Sequence, residues 1–452
     1  MNYEYVHLIG IGGSSMSGIA MYLNEKGIKV SGSNNEFNHN IEKLEKAGIN
    51  VFIGHDKNNI TNQDLIIYSK AISDTNPEII AAKEKNIPLM ERAEFIGIMT
   101  KEHSKSICVS GTHGKSTTSS MLSLCFIEAE KDPTIQLGAV LKNIKSNYRT
   151  GNSEYFVLEA CEYKDQFLNF FPSAEIILNI DADHLDYFKT FDNIKNSFQK
   201  YVEKLNEEGV LITNADDVSC MNLIKYNKGK TITFGIKNDC DYKATNITFD
   251  EDGCASFLVN DTKVKLNVKG LHNIYDALAC FATCDYYNIP NDIIVSSLAK
   301  YTGAERRFEL LSIIKNNVKV YDDYAHHPTE IKTTLESVKK TKHHKSWAIF
   351  QSHTYSRTYE HLQEFADILK DFDHIIIATI YAAREINTFD VKEMDLVNLI
   401  KPYNKDVRYI SSFDEIVNYL NENIESEDLV VSIGAGPINE VCFKLIDLNE
   451  QK

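Results

Sequence analysis

The chain has 452 residues, 43% of them hydrophobic and 25% charged, with a formal net charge of −16. That length exceeds one ordinary domain and predicts about three. The composition is that of a globular protein in water, and the negative balance argues against nonspecific binding to nucleic acid or a membrane surface. Nine cysteines without CxxC pairing or zinc-ligand spacing read as reduced thiols in the cytoplasm. Met1-Asn-Tyr-Glu-Tyr-Val-His7 lacks the basic start and apolar core of a signal peptide. No apolar run approaches about 20 residues, so no membrane span is expected.

In chain order, the first strand-like run, Val6-His-Leu-Ile9, leads into Gly10-Ile-Gly12-Gly13-Ser14-Ser15. This turn is similar to a dinucleotide fingerprint, but Ser15 stands where its third glycine belongs. A diphosphate at the following helix N-terminus is physically sensible. The alternative is a tight turn serving only helix–sheet packing. Ile28-Lys-Val-Ser31 and Asp64-Leu-Ile-Ile-Tyr68 read as strands, with a helix from Ile41 to Ala47 closed by Gly48. A polar link, Thr100 to Lys105, follows.

Ser106-Ile-Cys-Val-Ser110 is strand-like, and Thr118 to Cys125 is helix-like. Between them lies Gly111-Thr112-His113-Gly114-Lys115-Ser116-Thr117. Strand, glycine loop and helix start make a phosphate cradle. Its glycines let backbone N–H groups approach phosphate oxygens, Lys115 adds a point charge, and the Ser116 hydroxyl can hold Mg²⁺. An ordinary P-loop has a glycine where this chain has Val109, so the loop is a shortened variant.

Glu154 to Glu159 and Ala174 to Asn179 read as buried parallel strands. Glu159 and Glu162, just past the first of them, are candidates for Mg²⁺, against the plainer reading of a solvated acidic loop. After the second comes Asn179-Ile-Asp181-Ala-Asp183-His184-Leu-Asp186, suited to metal or phosphate chemistry or to turn and helix capping. Residues 240–269 predict an antiparallel hairpin around Glu251-Asp-Gly253. Tyr301 to Arg307 is a second break. Arg306-Arg307 could clamp anions or make surface salt bridges. Asp322-Asp-Tyr-Ala-His326-His327 and, beyond the strand Trp347 to Phe350, His353-Thr-Tyr355-Ser-Arg357 together favour a substrate-facing surface. His374 to Ala378 and Val430-Val-Ser-Ile-Gly434-Ala-Gly436 complete the alternation.

The order of these motifs, from Gly10-Ile-Gly-Gly13 through Gly111 to Thr118, Asn179 to Asp186, Gly270-Leu-His272-Asn273, Arg306-Arg-Phe308 and Asp322 to Glu330, to Tyr355-Ser-Arg-Thr358, resembles the Mur ligases from end to end. The resemblance implies an α/β fold of three domains. These would be an N-terminal Rossmann-like domain (1–103), a central P-loop ATPase-like α/β domain with a small antiparallel sheet (104–303), and a C-terminal Rossmann-like α/β domain (304–452). It is nearest to the branch that joins L-alanine to the lactyl carboxylate of UDP-N-acetylmuramate. ATP would activate that carboxylate as an acyl phosphate and leave as ADP and phosphate.

The implied UDP-sugar contacts are Gly10, Gly12, Gly13, Ser14, Ser15, Ser33, Asn34 and His55. Those for ATP are Gly111 to Thr117, His272, Asn273, Asp276 and Arg306. Lys115, Glu162, His184, Arg306 and His327 would be catalytic. Ser116, Glu162 and His184 would hold Mg²⁺, two ions in all. His353, Tyr355, Arg357 and Arg384 would meet the amino acid or substrate.

Four places depart from the family pattern. Cys161, Tyr163 and Lys164 interrupt a run that usually reads Glu-Ala-Asp-Glu-Ser-Asp. Asn34 replaces Asp, Asp276 replaces an Asn associated with adenine, and Thr354 replaces Arg. Ionised Asp276 can only accept hydrogen bonds, where an amide also donates. The competing readings are a ligase that recycles intact peptide onto the same sugar nucleotide, a non-catalytic UDP-sugar-binding homologue, and an NAD oxidoreductase resting only on the first glycine turn.

Overall fold

The computed structural model describes residues 3–450 apart from 252 and 384, and leaves the side chain of Asp186 undescribed. The chain forms two compact units, Met1–Ala244 with Tyr275–Leu298, and Thr245–Ile274 with Ala299–Lys452.

The first unit opens with five parallel strands, β1 (Tyr5–Ile9), β2 (Lys29–Asn34), β3 (Asn50–Ile53), β4 (Leu65–Tyr68) and β5 (Leu89–Glu91), in the order β3-β2-β1-β4-β5. The order reverses at β1, and in such sheets ligands bind beyond the strand ends at that switch point. The Gly10 turn lies there. Gly10 has φ +79°, and its N–H bonds the Ser33 carbonyl of β2 at 2.8 Å. The expected helix before Gly48 is His39–Lys46, and Gly48 has φ +83°. That is the left-handed stop which glycine adopts without a Cβ penalty.

The next strands are β6 (Lys105–Ser110), β7 (Thr134–Leu141), β8 (Ser146–Arg149), β9 (Tyr155–Glu159), β10 (Ala174–Ile177), β11 (Val210–Asn214) and β12 (Lys230–Gly235). They lie in the order β8-β7-β9-β6-β10-β11-β12, with β8 antiparallel to β7. Central β6 is buried on both faces, so its sequence is a continuous apolar-to-small run rather than an alternating one. One core links this sheet to the first, from Val6, Leu8 and Phe95 to Phe156, Phe167 and Phe198. β13 (Tyr242–Phe249) pairs with β12 through Tyr242 and Lys243.

In the second unit, β14 (Cys254–Val259) and β15 (Thr262–Lys269) form an antiparallel hairpin. Of the predicted turn at Glu251-Asp-Gly253 the middle residue lies outside the described residues; on either side of it the Gly253 N–H bonds the Asp250 carbonyl and the Asp250 N–H the Cys254 carbonyl, each at 3.0 Å. Six strands follow: β16 (Glu309–Ile314), β17 (Val318–Asp323), β18 (Ser346–Phe350), β19 (His374–Ile377), β20 (Val407–Tyr409) and β21 (Leu429–Ile433). Their order is β16-β17-β21-β18-β19-β20, and only β16 is antiparallel to its neighbour. Period-two alternation divides the buried residues between two cores. Ala348, Phe350, Val431 and Ile433 fill one, and Trp347, Ile349 and Val430 the other.

Candidate active site

The phosphate loop sits at the C-terminal end of β6. Val109 is a fully buried strand residue paired to Ile176 and Glu159, so the loop turns only at Gly111. Gly111 has φ +128° and Gly114 φ +85°. A Cβ on Gly114 would also lie 2.5 Å from Asp276 Oδ1, so that position excludes a side chain twice over. Asn179 braces the loop from beyond β10. Its Oδ1 accepts from the His113 N–H at 2.8 Å, and its Nδ2 donates to the His113 carbonyl at 3.0 Å. Thr112 Oγ1 accepts from the Asp181 N–H at 2.9 Å, and the His113 ring meets Asp181 Oδ2 at 3.2 Å.

Lys115 begins the helix Lys115–Glu128 and turns back over the loop. Its Nζ donates to the Thr112 carbonyl at 2.9 Å, to the Gly111 carbonyl, and to Glu162 Oε2 at 3.0 Å. The two side chains are 13% and 3% exposed. Burial alone would lower the Lys115 pKa, but the Glu162 charge, followed by Cys161 and Glu159, outweighs it and raises the ammonium well above its usual range. Lys115 therefore stays charged at any working pH. Burial, with Glu162 beside it, pushes the Cys161 thiol up to about 11. This residue, which replaces a family carboxylate, is thus neutral.

The two acids divide the work. Ser116 Oγ donates to Glu159 Oε2 at 2.8 Å, and the Gly138 N–H donates to the same oxygen at 3.0 Å. Glu162, read from sequence as holding a metal with Ser116, lies on Lys115 in this structure, and Glu159 is the carboxylate that Ser116 meets. His184 caps the short helix Leu185–Phe188 in a left-handed conformation, φ +55°, with its ring 4.5 Å from that of Tyr163. Asp276 accepts from Thr118 Oγ1 at 3.0 Å and rests against Gly114, so its carboxylate supports the loop. Thr117 lies in the first turn of the same helix.

At the first glycine turn, Asn38 and Asn40 donate to the Gly12 carbonyl, and the Asn34 amide packs where a Cβ on Gly12 would stand. Gly13 caps the helix Ser14–Glu25 without a side-chain bond. Ser14 Oγ accepts from Asn147 at 2.9 Å, and Ser15 Oγ accepts from Gln136 at 2.6 Å and Arg92 at 2.9 Å. Each hydroxyl keeps its own proton to donate. Ser33 and His55 converge on buried Glu78. Ser33 Oγ donates to its Oε2 at 2.6 Å, His55 Nδ1 lies 3.1 Å from the same oxygen, and Asn59 donates to Oε1 at 2.7 Å. Burial would raise the Glu78 pKa, but hydrogen bonds from His7, Ser33 and Asn59 hold it below the usual value. Arg92, His7 and Gln136 were missed in the sequence, and Glu78 stood out only within the family-like run Asn76-Pro-Glu78, with no role given to it. His7 inside an apolar strand was a further available signal.

In the second unit, adjacent strands β17, β21 and β18 end together. Arg306 donates to Asp322 Oδ2 at 2.9 Å and to the Gly434 and Gly436 carbonyls at 2.8 and 3.0 Å. Its guanidinium, with that of Arg307, faces the Tyr324 ring. His327 Nδ1 caps the helix Pro328–Lys340, accepting from the Thr329 N–H at 3.3 Å. His353 Nδ1 lies 3.3 Å from Arg357 Nη1, and its ring lies 5.9 Å from that of His326. Arg357 can only donate, so Nδ1 of His353 is the acceptor. Thr354, φ +67°, and Tyr355 begin the helix Tyr355–Glu360. His272 meets Asn273 Nδ2 at 3.0 Å, and Asn273 donates to the Lys269 carbonyl. Arg384 lies outside the described residues.

Three family models cover most of the chain: the Mur ligase family catalytic domain at residues 5–104, the Mur ligase middle domain at 109–284, and the Mur ligase glutamate ligase domain at 306–436. The chain belongs to the Mur ligase family. This Mur ligase is 44% identical over 454 residues to the UDP-N-acetylmuramate–L-alanine ligase of Caldanaerobacter subterraneus, covering 99% of this chain and 98% of the relative. Its fold matches the crystal structure of the UDP-N-acetylmuramate–alanine ligase of Thermotoga maritima, with TM-score 0.85, 27% identity and 99% of each chain covered. A murein peptide ligase from Psychrobacter arcticus matches with TM-score 0.72 and 24% identity over 98% of each chain. The α/β fold of three domains inferred from sequence is thereby established. Among the described residues, no helix is long and apolar enough to cross a membrane.

Proposed function

We propose that this Mur ligase joins L-alanine to the lactyl carboxylate of UDP-N-acetylmuramate, with ATP converted to ADP and phosphate, as a cytoplasmic step of peptidoglycan precursor synthesis. The observation that carries the reading is 44% identity to an enzyme of that name along the whole chain. The domain joins belong near residues 103 and 303.

A carboxylate does not react with an amine unaided, so it must first become an acyl phosphate. Both phosphoryl transfer and amine attack gather negative charge on oxygen, which positioned cations must meet. Lys115 supplies a permanent one, exchanging a loop carbonyl for a phosphate oxygen. Gly111 to Thr117 present backbone N–H groups to the phosphates, and Asp276 keeps Gly114 and Thr118 in place. Ser116, Glu159 and Glu162 form an all-oxygen set that fits Mg²⁺, with His184 reserved for a second ion. Magnesium bound there neutralises phosphate charge. Ser14 and Ser15 donate to the sugar-nucleotide diphosphate, with Ser33 and His55 held ready by Glu78. Arg306, His327, His353, Tyr355 and Arg357 gather the carboxylates of the substrates.

The test is phosphate release with UDP-N-acetylmuramate and MgATP, comparing L-alanine with L-alanyl-γ-D-glutamyl-meso-diaminopimelate, and the product weighed by mass spectrometry. L-alanine is expected to stimulate release and appear in the product. Stimulation by the tripeptide alone would replace this reading with the recycling one.

A further inference from the structure

Behind the phosphate loop, three cysteines meet in the core of the first unit. Cys125 lies on the helix Lys115–Glu128, and Cys280 and Cys284 lie one turn apart on the helix His272–Tyr286. Cys125 Sγ is 3.6 Å from Cys280 Sγ, which is 3.9 Å from Cys284 Sγ. The three sulfurs all lie within 4.8 Å of one another, and none of the three residues is exposed. Sulfurs bound at about 2.3 Å to one tetrahedral or pyramidal centre stand about 3.5–3.8 Å apart. Separations of 3.6 and 3.9 Å lie in and just beyond that range, so small side-chain shifts let the three sulfurs converge on a single atom. Disulfide-bonded sulfurs stand only about 2.05 Å apart.

Charge selects which atom. Met121, Leu122, Phe126, Leu278 and Phe281 on the same two helices are apolar and buried, and the Asp276 carboxylate beside the cluster, one turn before Cys280, carries negative charge already. Three thiolates on a divalent ion leave one net negative charge there, which burial penalises. Zinc also takes a fourth ligand, and among the described residues this cluster offers three sulfurs and no imidazole or carboxylate. Three thiolates on a trivalent centre are neutral and complete. The Ser297 hydroxyl, buried without a partner in hydrogen-bond geometry, lies near enough to Cys125 to favour its thiolate.

We infer that Cys125, Cys280 and Cys284 form a binding site for a trivalent thiophilic oxyacid of the arsenite type. Binding exchanges three As–O bonds for three As–S bonds. Each thiol proton leaves on a departing hydroxyl as water, and no atom changes oxidation state. Arsenous acid and the product are both uncharged, so entry into the core carries no charge with it. Because all three sulfurs are buried, uptake waits on local opening and is slow.

The full-length protein, reduced with a phosphine, is incubated with arsenite, desalted and analysed for arsenic by mass spectrometry and X-ray absorption. One arsenic per chain, with three sulfur neighbours, is expected. Cys280→Ala should lower retention by about 100-fold, while Cys161→Ala and Cys240→Ala retain the full amount. Melting curves check that each variant is folded. A native chain that retains no arsenic, arsenic bound by fewer than three sulfurs, or undiminished retention by folded Cys280→Ala would each overturn the assignment. A parallel incubation with Zn²⁺ should leave no metal after desalting, and retained zinc would overturn the charge argument.

Discussion

Removing the Lys115 side chain tests the site most sharply, because it leaves the Glu162 carboxylate buried without its counter-ion. At 3.0 Å and an effective dielectric of about 20, the attraction is about 5–6 kcal/mol. Desolvation offsets part of it, and breaking such a pair from one side destabilises by about 3–5 kcal/mol. Lys115→Ala should therefore melt about 10 °C lower and lose ligation. Adding Glu162→Gln removes the stranded charge, so the double variant should regain much of the lost stability while staying inactive. Differential scanning fluorimetry measures each term. Equal melting of the single and double variants would refute the buried-pair reasoning.

Three further outcomes are expected. Gly114→Ala places a methyl 2.5 Å from Asp276 Oδ1 at φ +85°, and should abolish ATP binding in a calorimetric titration while UDP-sugar binding persists. Glu175 is fully buried in β10 with neither oxygen hydrogen-bonded, and burial raises its pKa well above the usual range. Its contribution to stability falls as pH rises through that raised value. Glu175→Leu should therefore stabilise by about 1–3 kcal/mol, more at pH 8 than at pH 5 in urea melts, and the reverse trend would contradict it. Burial pushes Asp323 up to about 6 despite the Thr334 hydroxyl on it. Asp323→Asn should remove the part of the stability–pH slope in which wild type loses stability from about pH 4 to pH 6, and an unchanged slope would count against the assignment.

The strands that end in glycine turns were legible because apolar runs broken by Gly10, Gly111 and Gly434 leave few alternatives. Gly48 was legible for the same local reason. The division of labour between Glu159 and Glu162 was not. It depends on β9 ending at Glu159, which three residues of spacing do not disclose. Arg92 reaches Ser15 across 77 residues, and no local pattern announces that. Glu175 looked like one more member of a buried strand, and composition alone does not reveal that its acid group stays inside. The three clustered cysteines read as scattered because Cys125 and Cys280 are 155 residues apart.

Asn179 gives the shortened loop a stiffness it would otherwise lack. By taking both the N–H and the carbonyl of His113, one side chain imitates a neighbouring strand. The loop is held like an edge of sheet rather than a tethered coil. A cradle already ordered in this way loses little conformational entropy when phosphate arrives. The fastening also makes the loop and the segment from Asn179 to His184 one mechanical piece. Force applied by a phosphate at Gly114 is felt at Asp181, and amide exchange at Thr112, His113 and Asp181 should slow together.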